Sequence, residues 1–173
     1  MRAGLIPALQ GGKPLAHSTQ LPKGSARWAV HVITPTARTL QSLAASLTRD
    51  SESVSATATL IDDLAQDPRS LHLYARRLLS RPNAGERLLL VVDEFEELFT
   101  LSKDKAQRKA FVDGLLMAAC PEEGAPCAPA ASVVTVVLTL RADFFANCAE
   151  FENLRSALDG YQRYIGAMSQ EEL

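Results

Sequence analysis

The chain has 173 residues, 47% of them hydrophobic, and a formal net charge of −2. That length supports one domain with a buried core, and the near-neutral balance lacks the basic excess that would make nucleic acid the main partner. No apolar run approaches the roughly 18 residues needed to span a bilayer.

Residues 1–10 read as the tail of a helix around Pro7, with Leu5, Ile6 and Leu9 apolar. They do not read as a signal peptide, because the apolar part is short, holds a proline and is followed by no cleavage site. From Gly11 to Gly24 the glycines, prolines and serines mark a loop. Its Gly12-Lys13 pair echoes the G-K of a phosphate loop. However, Pro7 stands where the upstream glycine belongs, Pro14 stands where Ser or Thr belongs, and no strand precedes it. Arg27–Ile33 is predicted as a strand, and Leu40, Leu43, Ala44 and Leu47 then keep helical spacing.

Asp50–Thr59 is rich in Ser and Thr and is expected to be a mobile surface segment, with a short helix over Leu60–Ala65. Asp67 as N-cap and Pro68 at the first helical position open the next helix. Its inner face is Leu71, Tyr74, Ala75, Leu78 and Leu79, while Arg76, Arg77 and Arg81 suit its C-terminal end as solvated charge.

Leu88-Leu89-Leu90-Val91-Val92 is the most informative stretch. Five aliphatics in a row predict a strand buried on both faces. The run releases Asp93 and Glu94 at its C-terminal end, the edge at which open α/β sheets bind ligands. Phe95, Leu98 and Phe99 then take up helical spacing. Strand, acidic pair and helix together match the Walker B arrangement, in which the first carboxylate holds Mg²⁺ and the second handles water.

Ser102 is expected to cap a helix with Phe111, Val112, Leu115, Leu116 and Ala119 inside, and Pro121–Ala131 is a loop. Val133–Leu140 is predicted as a second fully buried strand, ending at Arg141-Ala142-Asp143. An amphipathic helix over Phe144–Leu158 and a last short strand over Tyr161–Ile165 follow. Ser169-Gln170-Glu171-Glu172 is a capping box opening a further helix. Cys120, Cys127 and Cys148 are odd in number and lack metal spacing, which predicts reduced thiols in a cytoplasmic protein. His17, His31 and His72 are scattered and read as surface or structural. Strands separated by helices, with charge at the ends of two apolar strands, argue for a parallel α/β sheet.

The segment Met1-Arg2-Ala3-Gly4-Leu5-Ile6-Pro7-Ala8-Leu9, the stretch Leu88–Phe99, Leu138-Thr139-Leu140-Arg141-Ala142-Asp143-Phe144-Phe145 and Ile165–Leu173 together resemble the novel STAND group of bacterial P-loop signalling NTPases. The order and spacing of the four match over nearly the whole chain. The resemblance implies a three-layer P-loop NTPase-like parallel sheet with helices on both faces, a cytoplasmic location, and Mg²⁺ with ATP or GTP as cofactors of the intact domain. It assigns Asp93 to Mg²⁺, Glu94 to the attacking water, and Arg141 to sensing the γ-phosphate. Asp143 is expected to be a local cap or a partner for Arg141, Glu96 and Glu97 to be solvated, and Phe95, Leu98, Phe99, Phe144 and Phe145 to be core. In the family, glutamine can follow the aspartate, so Glu94 departs from that form.

A phosphate loop of the G-x-x-x-x-G-K-[ST] type would precede the segment matching Arg2–Leu5, and this sequence contains none. Residues 1–173 are therefore expected to be part of a nucleotide-binding domain, from the helix after that loop to the start of the lid helix, without its first strand. Such a piece is expected to be inactive alone and to hold no cofactor firmly. Expected partners of the intact protein are nucleotide, C-terminal repeat or effector modules such as WD repeats, and further copies in a nucleotide-driven oligomer, with neither nucleic acid nor membrane. The competing reading is a non-catalytic interaction or regulatory fragment, or a decayed gene product. An in-frame G-K-[ST] segment upstream of the Met1 codon would separate the two.

Overall fold

A run of five aliphatic residues has no polar face to give to water and must be covered on both sides. In the computed structural model, which describes residues 5–12, 21–49, 53–82, 84–121 and 132–166, Leu88–Val92 is the middle strand of a parallel three-stranded sheet. Among these residues the chain runs through α1 (Leu5–Gly11), β1 (Ala29–Ile33), α2 (Thr39–Leu47), α3 (Val54–Gln66) and α4 (Ser70–Leu79). It continues through β2 (Leu88–Val92), α5 (Glu97–Thr100), α6 (Lys105–Ala119), β3 (Val134–Leu138), a 3₁₀ segment Ala142–Glu150 and α7 (Glu152–Tyr161). β1 pairs with β2 from Ala29 opposite Leu88 to Ile33 opposite Val92. β3 pairs with its other side from Val134 opposite Leu88 to Leu138 opposite Val92. The parallel sheet is as expected from the sequence, and this order brings all three C-terminal ends to one edge.

The pleat divides β2 between two clusters. Leu88, Leu90 and Val92 enter the main core with Leu43, Leu71, Phe95, Leu98 and Phe111. Leu89 and Val91 face Leu9 of α1, with Trp28, Val30 and Val137 packed around them. Helices thus lie on both faces of a mixed α/β fold. α6 is tied to β3 by Ser132, whose buried hydroxyl donates to the Ala118 carbonyl at 2.6 Å and accepts from the Val134 amide at 3.0 Å.

Several expected boundaries move, each for a local reason. α3 starts at Val54, so the Ser/Thr-rich stretch is helical from there on, because Leu60 and Leu64 bury that helix against the core. α4 starts at Ser70, not at Pro68. Asp67 uses its carboxylate on the Arg69 amide at 2.9 Å and on the Arg69 guanidinium, which makes a turn before the helix. Asp104, not Ser102, caps α6, accepting from the amides of Ala106 and Gln107. Ser102 is buried, and its carbonyl accepts from Arg108 at 2.8 Å. The expected helix Phe144–Leu158 is a 3₁₀ segment and then α7, broken at Phe151.

Three expectations are overturned. The second strand is regular only over Val134–Leu138, and within it only Val134 is fully buried, since β3 is paired on one side alone among the described residues. Tyr161–Ile165 is not a strand. The buried face carrying Leu154 extends α7 through Tyr161, and residues 162–166 have no regular structure, with Ile165 90% exposed. Cys120 is disulfide-bonded, so the thiols are not all reduced; Cys148 is a free thiol whose burial pushes its pKa up. Lys13, Pro14, His17, Cys127 and the capping box at 169–172 lie outside the described residues. No helix among those described is long and apolar enough to cross a membrane.

Just before β2 the chain passes Gly85 at φ 94°, where an added Cβ would lie 2.3 Å from the Arg27 carbonyl oxygen and 3.2 Å from the Ala29 amide. Left-handed backbone and close approach both require glycine here. Gly85→Ala is expected to lower stability by about 1–3 kcal/mol, seen as a lower urea midpoint at unchanged m-value.

Candidate functional site at the sheet edge

The hydrogen-bond ladder runs past the regular strands. The Asp93 amide donates to the Ile33 carbonyl at 2.8 Å, the Thr139 amide to the Val92 carbonyl at 2.9 Å, and the Phe95 amide to the Thr139 carbonyl at 2.8 Å. Asp93 therefore leaves the middle strand with the backbone around it held from both neighbours. Its Oδ1 accepts from the Thr139 hydroxyl at 2.8 Å. The same hydroxyl oxygen accepts from the Glu94 amide, also at 2.8 Å.

Glu94 is exposed and sits at φ 56°, the one positive φ at a non-glycine among the described residues. Phe95, the next residue, is fully buried. A turn closes when the Glu97 amide donates to the Glu94 carbonyl at 2.9 Å, and α5 follows. A non-glycine residue in this region is uncommon and costs free energy that the surroundings must supply.

Arg141 ends the neighbouring strand segment. Its Nε and Nη2 donate to the two carboxylate oxygens of Asp143 at 3.1 and 2.9 Å, and the guanidinium lies 5.8 Å over the Phe144 ring. The hydrogen bond from Arg141 holds the Asp143 carboxyl below the usual carboxylate range, and Asp143 in turn raises Arg141. The Arg141 amide donates to Glu96 Oε2 at 3.4 Å. Among the described residues, no group of three or more His, Cys, Asp or Glu is placed to hold a metal. A cleft of about 350 Å³ between α6 and residues 150–153, lined by Lys105, Lys109, Asp113 and Glu150 among others, shares no residue with this edge.

A family model described as Novel STAND NTPase 1 matches residues 1–173. The chain belongs to that family. No curated protein and no solved structure matches it. Membership of the STAND NTPases, a family of nucleotide-binding P-loop proteins, implies nucleotide and metal use by the intact protein.

Within this STAND chain, the fold brings Asp93, Glu94 and Arg141 to one edge, as their positions at the ends of two apolar strands suggested. Asp143 partners Arg141 as expected. Glu96 and Glu97 are half-buried, not solvated: one accepts from Arg141, the other from the Thr100 hydroxyl at 3.1 Å. Phe95 and Leu98 are core, and Phe99 packs against them. Phe144 and Phe145 are only half-buried, because they belong to a surface 3₁₀ segment. Sequence reasoning passed over Thr139. The available signal was a hydroxyl two residues before Arg141, at the end of an otherwise apolar run.

The Asp93 carboxylate at the edge fits Mg²⁺, which is held by one or two carboxylates together with phosphate oxygens and water. It does not fit Zn²⁺ or Ca²⁺, which need fuller protein cages. Relief of the left-handed backbone predicts that Glu94→Gly raises stability by about 0.5–1 kcal/mol, measurable in chemical denaturation. For Asp143 the depressed pKa means that the pairing with Arg141 is present above the ordinary carboxylate range and fades only below it. In Arg141→Gln, the Asp143 carboxyl, followed by ¹³C NMR, is expected to titrate higher than in the parent, back near the ordinary value of 3.8.

Proposed function

We propose that residues 1–173 form the Walker B and sensor part of a STAND nucleotide switch, from the helix that follows the phosphate loop to the start of the lid. Asp93 holds the Mg²⁺ of a bound ATP or GTP, Glu94 orients or deprotonates the attacking water, and Arg141 senses the γ-phosphate. The observation that supports this best is the juxtaposition at one edge of three groups from two parallel strands. An acidic pair leaves the buried central strand, and an arginine leaves its neighbour. When bound, Mg²⁺ supplies charge neutralisation on the phosphate oxygens.

The chain's own contributions are distinct. Asp93 supplies an anchored carboxylate, fixed by the backbone on both sides. Glu94 presents its side chain to solvent from a constrained backbone. Arg141 rests on Asp143, an exposed partner that a phosphate can replace. In the intact protein this exchange would relay nucleotide state to the lid and to attached effector modules of a cytoplasmic signalling protein, through nucleotide-driven assembly. A second reading, a non-catalytic regulatory piece, is favoured by one observation: the Gly11–Pro14 stretch does not match a phosphate loop.

Hydrolysis and binding in the intact nucleotide-binding domain test the first reading. Asp93→Asn is expected to abolish metal-dependent hydrolysis. Glu94→Gln is expected to slow it by about 10²–10⁴-fold while nucleotide affinity stays nearly unchanged. Unchanged turnover in both variants would remove the assignment. Because the backbone cradle and lysine of a phosphate loop supply most triphosphate affinity, this chain alone is expected to bind ATP–Mg²⁺ no better than millimolar by titration calorimetry. Micromolar binding there would mean that the Gly11–Lys13 segment does cradle phosphate.

A further inference from the structure

We infer that Thr139 is a positioning residue, which locks the Asp93 carboxylate and the Glu94 backbone to the end of β3 and so sets both acidic groups for nucleotide chemistry. The inference rests on the roles proposed for Asp93 and Glu94 and assigns Thr139 no contact with nucleotide.

The hydrogen-bond inventory of the hydroxyl carries the argument. A threonine hydroxyl has one proton to give and two lone pairs to accept with. The Glu94 amide can only donate, so at 2.8 Å the Thr139 oxygen must accept from it. The single proton then goes to Asp93 Oδ1, also at 2.8 Å. With its donor used, Thr139 has no proton for a phosphate oxygen, and phosphate sensing is left to Arg141, two residues further on. One hydroxyl thus governs two features of the site. It fixes the rotation of the Asp93 carboxylate, and it supplies a partner for the Glu94 amide.

The backbone of Thr139 does a separate job. Its amide and carbonyl bond Val92 and Phe95 whatever the side chain is. Valine at this position keeps the volume and these two bonds while losing both hydroxyl bonds, and serine keeps all four. Groups that orient a metal-binding side chain from behind change metal affinity by about 10–100-fold when removed.

Two measurements test the inference. In the 173-residue chain without nucleotide, Thr139→Val is expected to speed amide hydrogen exchange at Glu94 by about 10-fold, with Phe95 unchanged and Thr139→Ser close to the parent. An unaltered Glu94 amide would overturn the inference. So would equal acceleration at Glu94, Phe95 and Leu90, which would make Thr139 a general stabiliser. In the intact nucleotide-binding domain, Thr139→Val is expected to raise the Mg²⁺ concentration needed for half-maximal nucleotide binding by about 10-fold, with rescue by Thr139→Ser. Asp93→Asn, measured in parallel, separates the two levels of the argument. If it changes the Mg²⁺ requirement and Thr139→Val does not, the role of Thr139 falls and the Asp93 assignment stands. If neither variant changes it, the Asp93 assignment falls first.

Discussion

The covering of Leu88–Val92 from both faces governs where every candidate site residue stands. All five side chains are at most 2% exposed, and a fully buried Leu or Val is worth roughly 1.5–3 kcal/mol. A one-residue slip of this strand would draw Asp93 into the sheet interior, where an unpaired carboxylate is very costly. It would also exchange the sets that face α1 and the main core. The register with β1 and β3 is therefore fixed by burial. The point at which the chain first tolerates a charge, Asp93, becomes a fixed point in space.

From that point the edge is organised by short-range geometry. The backbone at Asp93, Thr139 and Phe95 continues the ladder past the regular strands, which makes the edge stiff although its side chains reach solvent. The stiffness is what sustains a left-handed Glu94. Such a conformation costs on the order of 1–3 kcal/mol and persists where neighbours leave no alternative. Here the neighbours are the buried Phe95 ring on one side and the Thr139 hydroxyl on the other. Residue 94 is thus held in a conformation that ordinary stability would not select, with its carboxylate outward.

Much of this was legible in the sequence because the decisive signals were unambiguous ones. An uninterrupted aliphatic run ending in two acids has few placements other than the middle of a parallel sheet. Thr139 was not legible for the opposite reason. Threonine is an ordinary β-branched strand residue, and its role exists only through a cross-strand register that sets it beside a residue 46 positions away. Tyr161–Ile165 misled because a five-residue stretch with two tyrosines and an isoleucine fits a strand. The helical face of Leu154 and Leu158 instead carried the chain on as α7. Ser102 and Asp104 are both good cap residues, and the choice between them was made by tertiary burial of the serine. The Cys120 disulfide contradicted an argument that rested on an odd cysteine count and the lack of metal spacing.

The pairing of Arg141 with Asp143 differs in kind from the rest of the edge. Both side chains are largely exposed, at 67% and 58%, and exposed ion pairs add little to stability because water and salt screen them. Exchanging the Asp143 carboxylate for a phosphate therefore costs the fold little, whereas moving Asp93 or Thr139 would break the ladder. A site with one cheaply re-paired cation beside rigidly held carboxylates has the asymmetry that a nucleotide sensor needs. Under the proposed roles, the groups assigned to metal and water stay in place, and the group assigned to the ligand is free to change partners. Arg141 is also separated from Thr139 by Leu140 alone and is joined by its own amide to Glu96. A change of partner at Arg141 thus pulls on chain that touches both ends of the acidic segment 93–96, so the proposed sensing and metal-holding groups share one short piece of backbone.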